Sequence, residues 1–192
     1  MKPKYELILE KAYEHLAING YDNTSLKNIA KSIGITKPAI YYYFNSKEEL
    51  FVTLLNYIIE ELENDFKAIL DKLKKIKTKE EFIGFLKNII ITDMAKLEKD
   101  TNISIVLKQY YLLGYRISEI KENLDNLSLM NESKYYKIFE KAYDLDLLKK
   151  EEIKETSIIF NMIDSSIIEN YTENPNYDYK KIWNNLIEKY FE

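Results

Sequence analysis

Cysteine is absent from this 192-residue chain, which excludes a disulfide framework, thiolate chemistry and any cysteine-built metal site. That absence fits a reducing compartment. Histidine occurs once, at His15, and a lone histidine without cysteine argues against zinc. Glycine (4) and proline (3) are scarce, which disfavours a turn-rich β architecture and points to long helices with few turns. No run of about 18 apolar residues occurs, so no membrane-crossing helix and no membrane partner are expected. Glu6, Glu10 and Glu14 stand where a secretory signal would be apolar, and the expected location is the cytoplasm. The chain lacks a Gly-rich phosphate loop, a nucleophile elbow and an HExxH pair. Its carboxylate pairs occur only as helical surface charges. No enzymatic activity and no cofactor are therefore expected.

What is present is apolar surface, at 46% of residues, enough for a substantial core. Lysine outnumbers arginine 27 to 1, a skew that suggests an A+T-rich genome. No strand-like alternation appears, so the expected fold is all-α. The most informative stretch runs from Thr24 to Lys47. Leu26, Ile29, Ala30 and Ile33 recur at helical spacing and give a first short helix one buried face. Gly34 suits the turn, Thr36 can cap a second helix, and Pro38 falls in its first turn. Ile40 and Phe44 point to the core, leaving Lys37, Pro38, Tyr41 and Tyr42 on the outer face. This is the pattern of a helix-turn-helix. The net charge of the chain is −4, yet this window holds four lysines (Lys27, Lys31, Lys37, Lys47) and no acid. A local acid-free surface on an acidic protein points to an anionic partner, with lysines and hydroxyls suited to phosphate contacts.

Residues 8 to 50 resemble the DNA-binding domain of the TetR family of transcriptional regulators. The resemblance rests on Ile8, Ala12 and Leu16, then Gly20-Tyr21, Thr24-Ser25, Ile29-Ala30, Gly34-Ile35-Thr36, Ile40-Tyr41, Phe44 and Lys47-Glu48-Glu49-Leu50. Leu16 stands where an aromatic is usual, and Pro38 where glycine is frequent, which removes one N–H from reach of a phosphate. The resemblance implies a three-helix DNA-binding domain over residues 1–46, with the helix-turn-helix at about 25–44. A larger helical regulatory and dimerisation domain over 47–192 would follow. It also implies a homodimer on a near-palindromic double-stranded operator, acting as a repressor relieved by a small apolar effector. The residues expected at DNA are Thr24, Ser25, Lys27, Thr36, Lys37, Pro38, Tyr41, Tyr42 and Lys47. The competing class is a helical interaction module that uses the same hairpin without DNA; a third, an all-α enzyme, has no residue to recommend it.

In chain order, Lys4 to Asn19 reads as a helix closed by Gly20. Ser46 and Glu49 form an S-x-x-E box opening a helix to about Lys74, on the order of 40 Å long. Such a helix starts at the presumed DNA surface and can couple it to the rest of the chain. Thr78 and Glu81 repeat the box and open a helix to about Lys99. Helices follow over about 102–115, over 118–144 with a break expected near Asn131, over 151–171 and over 178–191. A ligand cavity in the middle helices would draw on Phe66, Phe85, Ile89, Met94, Tyr110, Tyr111 and Asn161, with Gly114 facing it. Core packing is the plainer reading of those aromatics. Asp93 and Asp164 interrupt the apolar runs IIITDM and NMIDSSII; each can face a cationic ligand, or else solvent, a cap or a subunit seam. The last two helices are apolar on two sides. Ile159, Ile163, Ile167, Trp183, Leu186 and Tyr190 are the expected dimer interface.

Overall fold

The computed structural model describes residues 3–191. Among them are nine α-helices and no strand: α1 Lys4–Asn19, α2 Leu26–Ser32, α3 Lys37–Tyr41, α4 Lys47–Leu73, α5 Lys79–Lys99, α6 Asn102–Gly114, α7 Ser118–Asp144, α8 Ile153–Asn170 and α9 Tyr179–Phe191. A 3-10 turn, Lys150–Glu152, leads into α8. The chain forms two compact units, and they do not part at residue 46. The first takes the chain to Leu62 together with Ile105–Asp125; the second takes Glu63–Ser104 and the chain from Asn126 onward.

In the first unit α1 buries Ile8, Ala12 and Leu16 against Leu26, Ile29 and Ala30 of α2 and Ile40 of α3. Gly20 ends α1 at φ +69°, its N–H bonded to the Leu16 carbonyl at 3.1 Å. The positive φ favours glycine, and a Cβ there would lie 3.3 Å from Gln109 Oε1 on α6, which would have to give way slightly. The turn glycine, Gly34, has the same φ of +69°. Ser25 and Thr36 cap α2 and α3, accepting the N–H of Asn28 and of Ala39 at 3.2 and 3.3 Å. Phe44 is buried and stacks on Tyr5 at 5.4 Å. At the start of α4 Ser46 Oγ accepts the Glu49 N–H, but Glu49 reaches one residue further back than a capping box requires. Its carboxylate takes the Asn45 N–H at 2.7 Å. Tyr110 of α6 is fully buried and donates its hydroxyl to the Phe51 carbonyl at 2.9 Å. Gly114 faces no cavity: a Cβ would meet Leu124 at 3.4 Å and the Lys121 backbone at 3.5 Å.

The second unit is built on aromatic rings. Phe139 and Phe160 lie 4.7 Å apart, Trp183 meets Phe160 edge-on at 5.2 Å, and Phe82 meets Phe191 at 5.6 Å. The Trp183 indole N–H donates to the Leu86 carbonyl at 2.8 Å, fixing α9 on α5. Thr78 and Glu81 form the complete reciprocal box that opens α5. The break expected near Asn131 is absent. Ser118–Asp144 contains neither glycine nor proline, and its buried row continues through Leu127, Tyr135, Ile138 and Ala142. An isolated asparagine has only a weak helix penalty to set against that burial.

Phe44→Ala removes a buried ring and is expected to destabilise the protein by about 3–5 kcal/mol. Tyr42→Ala, at a side chain 84% exposed, is expected to stay within about 0.5 kcal/mol. Urea melts of the two variants check the contrast; an equal loss would reverse the assignment of the two faces.

Candidate nucleic-acid interface and helical core

The exposed surface of the helix-turn-helix carries Ser25, Lys27, Thr36, Lys37, Pro38, Tyr41 and Tyr42. Capping leaves Ser25 and Thr36 a second function. Each hydroxyl oxygen accepts a backbone N–H, which leaves its own proton free to donate to a phosphate oxygen. Lys37 lies 5.6 Å from the centre of the Tyr41 ring, and Tyr42 meets Tyr43 edge-on at 5.3 Å. Tyr43 was not anticipated; it is half-buried and holds the most exposed tyrosine of the face in place.

Two expected contacts sit differently. Thr24 is buried, and its hydroxyl bonds to the Gly20 carbonyl at 2.8 Å and the His15 carbonyl at 3.2 Å. It ties α2 back to α1 and is not on the exposed face. His15 is likewise structural, its ring 3.3 Å from the Asn19 amide. Lys47 is half-buried. Its ammonium donates to the Tyr21 carbonyl at 2.9 Å and rides 4.0 Å over the Tyr21 ring, and burial holds its pKa below the usual lysine value. Beside it the only arginine, Arg116, forks onto the Asp22 carboxylate at 3.0 and 3.1 Å. This pair joins residues 94 apart, and no local pattern announces it.

The expected cavity residues are not gathered into one lining. Ile89 and Met94 are buried in the second unit's core, with Phe85 packed on its edge. Phe66 is half-buried beneath Lys137, 5.7 Å away. Tyr110 belongs to the core of the first unit, and Tyr111 is 46% exposed. A groove of about 580 Å³ lies elsewhere, lined by Tyr143 and residues 146–152. Asn161 is half-buried on α8, and Asp93 and Asp164 lie near one another beside Lys134. Lys134 of α7 donates to Asp164 of α8 at 3.2 Å and lies 4.5 Å over the Tyr135 ring. Burial, then the charge of Asp164, raises the Asp93 carboxyl to about 6, against the pull of Lys134 and Lys96.

The expected dimer residues divide as well. Ile167 and Trp183 are buried within this chain, Trp183 because its N–H finds Leu86 there. Ile163, Leu186 and Tyr190 are partly covered by the same core, and Ile159 is half-buried. The apolar side chains left outward on α8 and α9 are Ile158, Met162 and Ile182.

Asp93 sets the sign of one pH effect. Its folded pKa of about 6 exceeds the ordinary 3.8, so the folded state holds the proton more tightly. The chain should therefore lose stability as pH rises from about 4 to about 6 through this group. Asp93→Asn should flatten that segment and raise the melting temperature at neutral pH. A variant melting below the native chain there would mean that ionised Asp93 stabilises the fold.

Residues 8–54 match the family model for bacterial regulatory proteins of the tetR family. The Bacillus subtilis fatty acid metabolism regulator protein is 28% identical over 97% of this chain and 93% of its own length. The IcaR negative transcriptional regulator of a Staphylococcus epidermidis biofilm operon is 35% identical over 28% of this chain and 31% of its own. Among solved structures, Bacillus subtilis FadR in complex with stearoyl-CoA superposes with a TM-score of 0.73 at 21% identity, covering 98% of each chain. Among the described residues no helix is long and apolar enough to cross a membrane. Residues 8–54 thus form a DNA-binding domain of the tetR family, and the whole-length relative supports a regulator of transcription.

Proposed function

We propose that the chain is a repressor that reads a near-palindromic operator as a homodimer and releases it when a small, largely apolar effector binds its helical core. The observation that carries the DNA reading is the acid-free exposed face of Lys27, Lys37, Tyr41 and Tyr42, presented by two capped helices. Residues 1–46 are the DNA-binding part and residues 47–192 the regulatory and dimerising part. Ser25, Lys27, Thr36, Lys37, Tyr41 and Tyr42 make the contacts, with Lys47 held at their edge. Repression is supported by the IcaR relative, a negative transcriptional regulator. An effector is supported by the stearoyl-CoA complex of the FadR neighbour. A location in the cytoplasm follows from work on chromosomal DNA, and no residue constellation recommends catalysis.

One helix-turn-helix per chain requires two chains for a palindrome, with half-sites about one turn (~34–36 Å) or a multiple apart. Ile158, Met162 and Ile182 supply the outward apolar strip for that pairing. Met162→Glu should convert the dimer to a monomer in light scattering and weaken operator binding, with little change in the melting temperature of the subunit. A variant that stays dimeric would place the interface elsewhere.

Selection of duplexes from a random pool tests the DNA reading directly. Lys37→Ala should weaken the selected duplex and reduce the salt slope by about one phosphate. Linkage tests the induction. An effector that lowers operator affinity about 5- to 150-fold must lose affinity by the same factor when operator is added first. Effector affinity unchanged by operator would refute induction and leave DNA binding standing.

A further inference from the structure

The second helix of a helix-turn-helix enters the major groove, while the first crosses the backbone. In this chain that second helix, α3, lacks most of the side chains that read base edges. The usual readers are arginine or lysine on guanine, asparagine or glutamine on adenine, and a carboxylate on cytosine. Residues 36–44 hold no arginine, asparagine, glutamine, aspartate or glutamate; of the whole set they have only Lys37. The Lys37 ammonium lies to one flank, 5.6 Å from the centre of the Tyr41 ring. The one arginine of the chain is spent on Asp22. Asn45, just past α3, is turned onto Glu49, which takes its backbone N–H at 2.7 Å and its side-chain amide at 3.0 Å.

What α3 does present is apolar. Pro38 and Tyr42 are four residues apart, and the Tyr42 N–H bonds to the Pro38 carbonyl at 3.3 Å, so the two stand in one row. That row lies opposite the buried Ile40. Both side chains are exposed, Tyr42 at 84%. Tyr43 buttresses the Tyr42 ring edge-on at 5.3 Å. Lysine only donates, and tyrosine and threonine hydroxyls donate or accept, so no side chain here is confined to accepting. The exocyclic amines of adenine and cytosine therefore meet no dedicated partner. The apolar mark that the major groove does carry is the C5-methyl of thymine. We propose that Pro38 and Tyr42 set the operator specificity of this chain by packing on thymine C5-methyl groups, with Lys37 left to the phosphates. The proposal rests on the reading of this face as the DNA contact and names the base feature that the face recognises.

The test uses the full chain and the duplex selected from a random pool, at one salt concentration, since salt sets the absolute affinity. Each thymine is replaced in turn by deoxyuridine, which keeps every hydrogen-bonding group and removes only the C5-methyl. Fluorescence anisotropy should show about a 4-fold loss for each methyl that is read, the factor one buried methyl group is worth. The losses should fall on particular thymines of each half-site. In Tyr42→Ala and Pro38→Ala the preference for thymine over uracil at those positions should vanish; both side chains are exposed, so the fold does not depend on them. Lys37→Met should weaken the thymine and uracil duplexes alike and keep the preference, which separates methyl reading from backbone attraction. A fully uracil-substituted duplex bound as tightly as the thymine duplex would overturn methyl reading and leave DNA binding by this face standing. A uracil penalty that persists in both Tyr42→Ala and Pro38→Ala would overturn it too, because the methyl would then be read elsewhere. Operator affinity unchanged in Tyr42→Ala, Pro38→Ala and Lys37→Met would overturn the proposal and the reading of the face together.

Discussion

The bond from Tyr110 to the Phe51 carbonyl is the constraint on which the DNA-facing unit depends. A buried phenol must find an acceptor, and in this core that acceptor is a backbone carbonyl of α4. The bond fixes α6 against the first turns of the helix that follows the reading head. Burial alone raises the Tyr110 pKa well above the usual phenol value, so the hydroxyl keeps its proton as a donor. Around it, Gln109 closes on Gly20, and Arg116 holds Asp22. Gln109 of α6 and Arg116 just past its end thus meet the corner between α1 and α2. The exposed ion pair adds direction more than energy, because water screens it.

The second unit solves a different problem. Its core is aromatic where Trp183 meets Leu86, and polar where Lys134 and Tyr135 meet Asp164. A region meant only for stability gains by replacing a buried ion pair with hydrocarbon. A region meant to discriminate among small molecules needs polar groups placed before the ligand arrives.

Short-range features were legible in the sequence and long-range ones were not. Capping by Ser25, Thr36 and Thr78, the turn at Gly34 and the inward pair Ile40–Phe44 depend on neighbours within four residues, and spacing alone reveals them. Thr24 shows the limit of that logic: as a small polar residue beside a cap it looked exposed, yet its hydroxyl is consumed by α1. The fork of Arg116 on Asp22 joins distant loops, and no periodicity encodes it. The last helices show a third limit. Their apolar arcs signal two apolar sides, but not which side the chain covers for itself. Trp183 and Ile167 proved to belong to the inner side, and Ile158 and Met162 to the outer.

The two compact units interleave along the chain. The unit holding the helix-turn-helix is completed only by Ile105–Asp125, so its last residues are synthesised when about two-thirds of the chain has been made. Until then α1 to α3 stand without Tyr110, Gln109 or Arg116. Domains that are contiguous can fold in order as they emerge. This one cannot, so a nascent chain carries the basic hairpin before the helix that completes its unit exists. Premature contact with nucleic acid during synthesis is thereby limited to a loosely held head, and firm grip arrives only with the nearly finished protein.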